Sequence, residues 1–181
     1  MNIYIADTHF GHSNILLHDH RPFPDPDTMD NTMIELWNAR VSKTDDVWIL
    51  GDFSYRSGKK PEWYLKQLRG RKHLVIGNHD RHLLKDDKAL SYFESVDALK
   101  MIKDGDKEII LCHYPIAEWN GYFHGSYHIY GHIHASRNEA YDFMKTKERA
   151  LNAGCMINHY MPASLEELIR NNREFQSNTE A

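Results

Sequence analysis

Five short apolar runs punctuate this chain, and each stops at a residue able to ligate a cation. Residues 3–6 lead into Asp7, 47–50 into Gly51-Asp52, and 73–76 into Gly77-Asn78. Residues 109–112 lead into His113, and 128–130 into Gly131-His132. Runs of about four residues rich in Ile, Val, Leu or Tyr read as buried strands. A chain built this way sets its polar residues in loops just past strand C-termini, where open α/β sheets place their sites.

Helical signals fall between the early runs. Met29, Met33, Leu36, Trp37 and Val41 recur at helical spacing, with Asp27 or Thr28 as the N-cap, and read as core packing. Pro61 opens a second helix holding Leu65 and Leu68 and ending near Gly70. Asp104-Gly105-Asp106 reads as a hairpin turn. Ser164-x-x-Glu167 is a capping box for a helix through about Arg170, after which 171–181 forms a polar tail expected to fray. The expected organisation is one domain over 1–170, with early βα units, later antiparallel strands, and two packed sheets flanked by helices.

Composition bounds the partners. The 181 residues suffice for one domain with a sizeable core. With 22 basic and 26 acidic side chains the net charge is −4, and no basic stripe marks a duplex nucleic-acid surface. Cys112 and Cys155 are the only cysteines, which excludes a disulfide scaffold or zinc knuckle and leaves two buried thiols as the expectation. No run reaches membrane-spanning length, and residues 1–6 lack a basic n-region, so a cytoplasmic location is expected.

The chemistry lies in five fragments: Asp7-x-His9, Gly51-Asp52, Gly77-Asn78-His79-Asp80, His113 and Gly131-His132-x-His134. Taken singly, each has a plain reading as a turn carboxylate or surface imidazole. Taken together they supply the oxygen and nitrogen ligands that two divalent ions need, with one carboxylate free to bridge. Mixed imidazole and carboxylate donors suit Mn, Fe, Co, Ni or Zn, with Mn²⁺ favoured here, and the absence of cysteine in the set argues against a thiolate zinc site.

In this order the fragments resemble the calcineurin-like metallophosphoesterase family over residues 3 to about 154, most of all its small, uncapped bacterial and phage members. The resemblance extends to Asp7-Thr8-His9-Phe10-Gly11-His12 and Cys112-His113-Tyr114-Pro115. It implies a four-layer α/β/β/α sandwich of two mixed sheets flanked by helices. By the same resemblance Asp7, His9, Asp52 and His134 hold one ion, and Asp52, Asn78, His113 and His132 the other. His79 matches the family's non-ligand catalytic histidine and Asp80 the carboxylate that orients it. Arg56 matches an arginine that contacts phosphate, although Tyr55 stands where the protein-phosphatase branch has Asp. The implied reaction is direct hydrolysis of a phosphate ester by a metal-bridging hydroxide, with His79 as general acid.

The substrate is read as a small, nucleotide-like phosphodiester. A phosphomonoesterase, protein phosphatase or nuclease on the same two-metal core is the alternative, and a non-catalytic interaction scaffold is the alternative of another class. Only 18 residues separate His113 from His132, which leaves no room for an inserted cap. His12 is a candidate to line the pocket, against a plain loop histidine. Phe123 and His124, in the aromatic stretch 119–124, are candidates to stack a nucleobase, against a hydrophobic lid over the sandwich edge. Oligomeric state is not legible.

Overall fold

Alternation along each strand decides which layer a side chain enters. In the computed structural model, which describes residues 1–178, the strands β1 (Asn2–Ile5), β2 (Asp46–Ile49), β3 (Arg71–Val75) and β4 (Phe93–Asp97) pair in that order. A second sheet has the order β5 (Leu99–Asp104), β6 (Lys107–Cys112), β7 (Tyr127–Tyr130) and β8 (Ala150–Asn152). Ile3 and Ile5 of β1 join Val47, Ile49 and Leu74 under Met29, Met33 and Trp37. Tyr4 and Ala6 point the other way and meet Ile109, Leu111, Ile129 and Leu151 of the second sheet. That sheet's outer residues Ile110, Tyr130 and Ala150 lie under Trp119, Tyr141 and Met144. The result is the four-layer α/β/β/α sandwich.

Two details differ from the expectation of two mixed sheets with antiparallel later strands. The first sheet is wholly parallel. In the second only β5 and β6 are antiparallel, closing at Asp104↔Lys107 around Gly105-Asp106, while β6, β7 and β8 run parallel. The short connections between the later apolar runs look like hairpin loops in sequence. Instead, 113–126 and the helix Glu139–Met144 act as crossovers.

The helix beneath the first sheet spans Pro26–Arg40. Its N-cap is Asp25, whose carboxylate accepts from Thr28 N at 2.8 Å, with Pro26 at the first helical position, so the cap lies before Asp27 and Thr28. The helix opened by Pro61 is shorter than expected, Pro61–Leu65, though Leu68 is still buried. The C-terminal helix, Leu165–Ser177, has the expected capping box: Ser164 N donates to Glu167 and Glu167 N to Ser164 Oγ. It runs well past Arg170, because Asn171 and Asn172 are buried and their Nδ2 groups donate to Asn158 Oδ1 and the Asn152 carbonyl, so the segment expected to fray is helical to Ser177. Residues 179–181 of that tail lie outside the described residues. Cys155 is buried as expected, whereas Cys112 is half-buried.

Candidate metal centre

The loops that follow β1, β2, β3, β6 and β7 all open at one end of the sandwich. An isolated parallel bridge between Ala6 and Gly154 joins the two sheets there and aligns their directions. The backbone at this end is strained. Asp7 (φ +56°), His9 (+50°), Asp52 (+54°), His132 (+70°) and His134 (+50°) all occupy the left-handed region. For a residue with a side chain this costs about 1 kcal/mol or more, and it persists only where the surroundings fix it. Here Asp7 N donates to Gly51 O at 3.1 Å and His9 N to Asp52 O at 3.0 Å, locking the first two loops together.

Glycine permits this closeness. A Cβ on Gly77 would stand 2.4 Å from Asp52 Oδ1 and 2.5 Å from Asp52 N, and one on Gly51 would meet His113 Nδ1 at 2.5 Å. Gly77→Ala is therefore expected to cost about 1–3 kcal/mol of stability by overpacking. It should also displace the Asp52 carboxylate, read as lost divalent-metal binding. Urea denaturation together with metal uptake checks this, and unchanged values for both would contradict the packing described.

Ligand atoms of Asp7, His9, Asp52 and His134 lie within 4.8 Å of one another. His9 Nε2 is 3.2 Å from His134 Nε2 and 3.6 Å from Asp52 Oδ2, and His134 Nε2 is 3.7 Å from Asp7 Oδ1. A second group adjoins it. Asn78 Oδ1 lies 3.0 Å from His113 Nε2 and 2.9 Å from His132 Nδ1, and His113 Nε2 is 3.6 Å from Asp52 Oδ2. One carboxylate oxygen thus stands between the two groups. Its partner, Asp52 Oδ1, accepts from His79 N at 2.8 Å, which fixes the carboxylate plane.

The donor set fits cations. His113 Nδ1 faces the Leu50 carbonyl at 2.8 Å and His134 Nδ1 faces Asp19 at 2.9 Å. Both nitrogens must carry the proton to make these bonds, so both Nε2 lone pairs point into the cluster. Burial raises the Asp7 carboxyl to about 6 against the opposing pull of His134 and His113. Burial also holds His9 well below the usual imidazole range, with the neighbouring His134 and Arg21 charges adding to the effect. Buried carboxylates beside imidazole nitrogens aimed into one cluster are the donor chemistry that a divalent cation takes.

Asp19 and Arg21 escaped the sequence reading. Burial opposes charge on His134, yet its hydrogen bond to Asp19 and the Asp7 and Asp19 charges outweigh that and shift it upward. Arg21, 4% exposed, donates to Asp7 O, Thr8 O and the Asp19 carboxylate. A His18-Asp19-His20-Arg21 stretch carries no signal of this; only tertiary contact supplies it. Such carboxylate–histidine pairs orient a ligand and raise its basicity. Asp19→Ala is expected to weaken Mn²⁺ binding by about 10–100-fold, measured by calorimetry on metal-stripped protein. An unchanged affinity would show that His134 needs no such partner.

Other expectations sort by position. Asp80, expected to orient His79, does something else: Oδ2 accepts from Gly77 N and Asp52 N, and Oδ1 from Phe53 N. Its buried carboxylate is spent on pinning the two ligand loops together. The His79 ring instead packs on Tyr55, with centroids 4.2 Å apart, and against His9 at 5.5 Å. His12, Tyr55, Arg56 and His79 line a cavity of about 330 Å³ beside His9 and His134, and Arg56 lies over the Tyr55 ring. His12 and Arg56 both border this pocket. Phe123 and His124 do not. They precede β7, at the end of the strand opposite to His132, and His124 borders a separate cleft with Lys103, Lys107 and Glu108. Phe123 is exposed there, while Trp119 packs inward on Tyr122 and His128.

The two four-stranded sheets flanked by helices agree with the fold implied by the sequence resemblance of the loop residues. The chain is 31% identical over 168 residues to an uncharacterized protein of Methanocaldococcus jannaschii, covering 92% of this chain and 88% of that one. It is 30% identical over 159 residues to the gene 66 protein of Mycobacterium phage D29, covering 73% and 77%. A solved structure of a protein of unknown function from Aquifex aeolicus aligns over 94% of this chain and 98% of its own, with TM-score 0.73 and 30% identity. No family model matches. The chain belongs to the family that includes the archaeal and phage proteins. Among the described residues no helix is long and apolar enough to cross a membrane.

Proposed function

We infer that this protein is a metal-dependent phosphoester hydrolase whose two cation positions share Asp52. The observation that carries this reading is Asp52 Oδ2, 3.6 Å from His9 Nε2 on one side and 3.6 Å from His113 Nε2 on the other. Asp7, His9, Asp52 and His134 would hold one ion, and Asp52, Asn78, His113 and His132 the second. Bound there, two divalent ions would supply an acidic water and positive charge toward phosphoryl oxygens. Mn²⁺ suits the mixed imidazole, amide and carboxylate donors.

The chain's own residues would do the rest. His79, on the pocket wall and outside both ligand groups, would give its proton to the leaving oxygen. Tyr55 holds that ring in place by packing. Arg56, at the pocket mouth, would add charge toward the equatorial oxygens of the transition state. Asp80 acts at one remove, by fixing the backbone that carries Asp52.

The pocket is open and uncapped, and a doubly charged monoester gains least from such a site, so the preferred substrate is a small phosphodiester. With Mn²⁺, a chromogenic diester is expected to show a kcat/KM at least equal to that of the matching monoester. A strong preference for the monoester would move the protein to the phosphatases. Retention of both ligand groups and of His79 speaks against the scaffold reading.

A further inference from the structure

Four asparagines lie buried between the C-terminal helix and the metal centre. Asn171 and Asn172 stand on the helix, Asn152 ends β8, and Asn158 sits in the turn beyond; none is more than 5% exposed. Burying an amide is costly unless it is hydrogen-bonded, and an apolar residue of similar size would pack a helix with no such cost. Leu168, fully buried on the same helix, does that. The asparagines are thus better explained by what they hold than by what they fill.

They hold the backbone of the cluster. Asn152 Nδ2 donates to the His134 carbonyl at 2.7 Å, and Asn152 Oδ1 accepts from Gly154 N at 2.8 Å. Asn172 clamps Asn152 in turn, accepting from its backbone N at 2.9 Å and donating to its carbonyl at 3.0 Å. Asn158 donates to Gly154 O at 2.9 Å and accepts from Asn171 Nδ2 at 2.9 Å. Gly154 bridges to Ala6, and the neighbouring Cys155 Sγ–H reaches the Asp7 carbonyl at 3.2 Å. Asn152 therefore joins the His134 loop to Gly154 through its side chain and to the helix through its backbone, and Gly154 and Cys155 carry the link on to the Asp7 strand end.

We propose that Asn152 is a positioning residue for His134, and that through Asn172 the C-terminal helix sets the geometry of the metal centre. The proposal rests on the reading of His134 as a metal ligand. His134 has φ +50°, and its ring is already fixed by Asp19 at Nδ1. The bond from Asn152 fixes the carbonyl, so the ring and the backbone are held from opposite sides. A ligand free to relax from a strained backbone would turn its Nε2 away from Asp7 and His9.

The test is calorimetric titration of Mn²⁺ into the metal-stripped full chain, with thermal melting recorded on the same samples. Asn152→Ala is expected to weaken binding by about 10–100-fold, the range seen when outer partners of metal ligands are removed. Leu168→Ala, which lowers stability from the same helix but keeps the backbone carbonyl that accepts from Asn172 Nδ2 at 2.9 Å, should stay within about twofold of wild type. If Asn152→Ala does not fold, Asn172→Leu carries the test and should weaken binding in the same direction. A folded Asn152→Ala or Asn172→Leu that binds Mn²⁺ like wild type would overturn the proposal. So would a Leu168→Ala protein that loses affinity as severely as Asn152→Ala. A wild-type protein that takes up no Mn²⁺ would instead sink the metal reading itself, and the proposal with it.

Discussion

Asp52→Asn should lower metal-dependent diester hydrolysis by about 10³-fold or more, since loss of several kcal/mol of charge stabilisation is worth that much in rate. The asparagine keeps the shape of the side chain and an oxygen to accept from His79 N, so the fold should survive. What disappears is the one charged oxygen standing between His9 and His113. Metal content should fall together with rate, because neither group then has its shared carboxylate. Elemental analysis of the loaded variant beside wild type reads this directly. A variant with wild-type metal content and wild-type rate would mean that Asp52 only braces the loop.

His79→Ala separates chemistry from metal binding. The ring lies on the pocket wall against Tyr55, and only the backbone N of His79 reaches the Asp52 carboxylate. That backbone bond survives the substitution. Metal content should hold while kcat falls by about 10²–10⁴-fold, the usual cost of removing a positioned acid. The deficit should shrink for esters with good leaving groups, which need little protonation. If metal and activity were lost together, His79 would belong among the ligands and the assignment of the acid would fail.

Residue patterns carried the architecture far because strand and site share one periodicity. In β1, alternate residues face helix and sheet, and the chain then reaches Asp7 at the sheet edge. That relation repeats at β2, β3, β6 and β7 and was legible from apolar runs alone. β4 and β8 were not. Phe93-Glu94-Ser95-Val96-Asp97 is half polar because it is an edge strand, and Ala150–Asn152 is too short to show a period. Parallel pairing in the second sheet was hidden as well, since its crossovers are loops and one short helix.

The site divides along the same line. Its candidate ligands are adjacent to strand ends and appear as motifs. The groups that hold them come from elsewhere in the chain: Asp19 reaches His134 from 115 positions away. Asp80 differs in the opposite direction: the resemblance implied a partnership with His79, whereas its oxygens bond to backbone N–H groups. Its oxygens face the backbone of Asp52, Phe53 and Gly77 because the turn after Asn78 directs them inward. Phe123 and His124 fail for a geometric reason: β7 carries the chain from their end of the sheet to the other before His132 is reached.

The most direct test of the shared-carboxylate centre is metal stoichiometry against activity in one titration. Chelator-stripped protein is loaded stepwise with Mn²⁺ while bound metal and hydrolysis of a chromogenic diester are followed together. Saturation is expected at about two equivalents per chain, with hydrolysis absent from the stripped protein and rising to its maximum as the second position fills. Saturation at about one equivalent with full activity, or hydrolysis by the stripped protein, would contradict a shared-carboxylate centre.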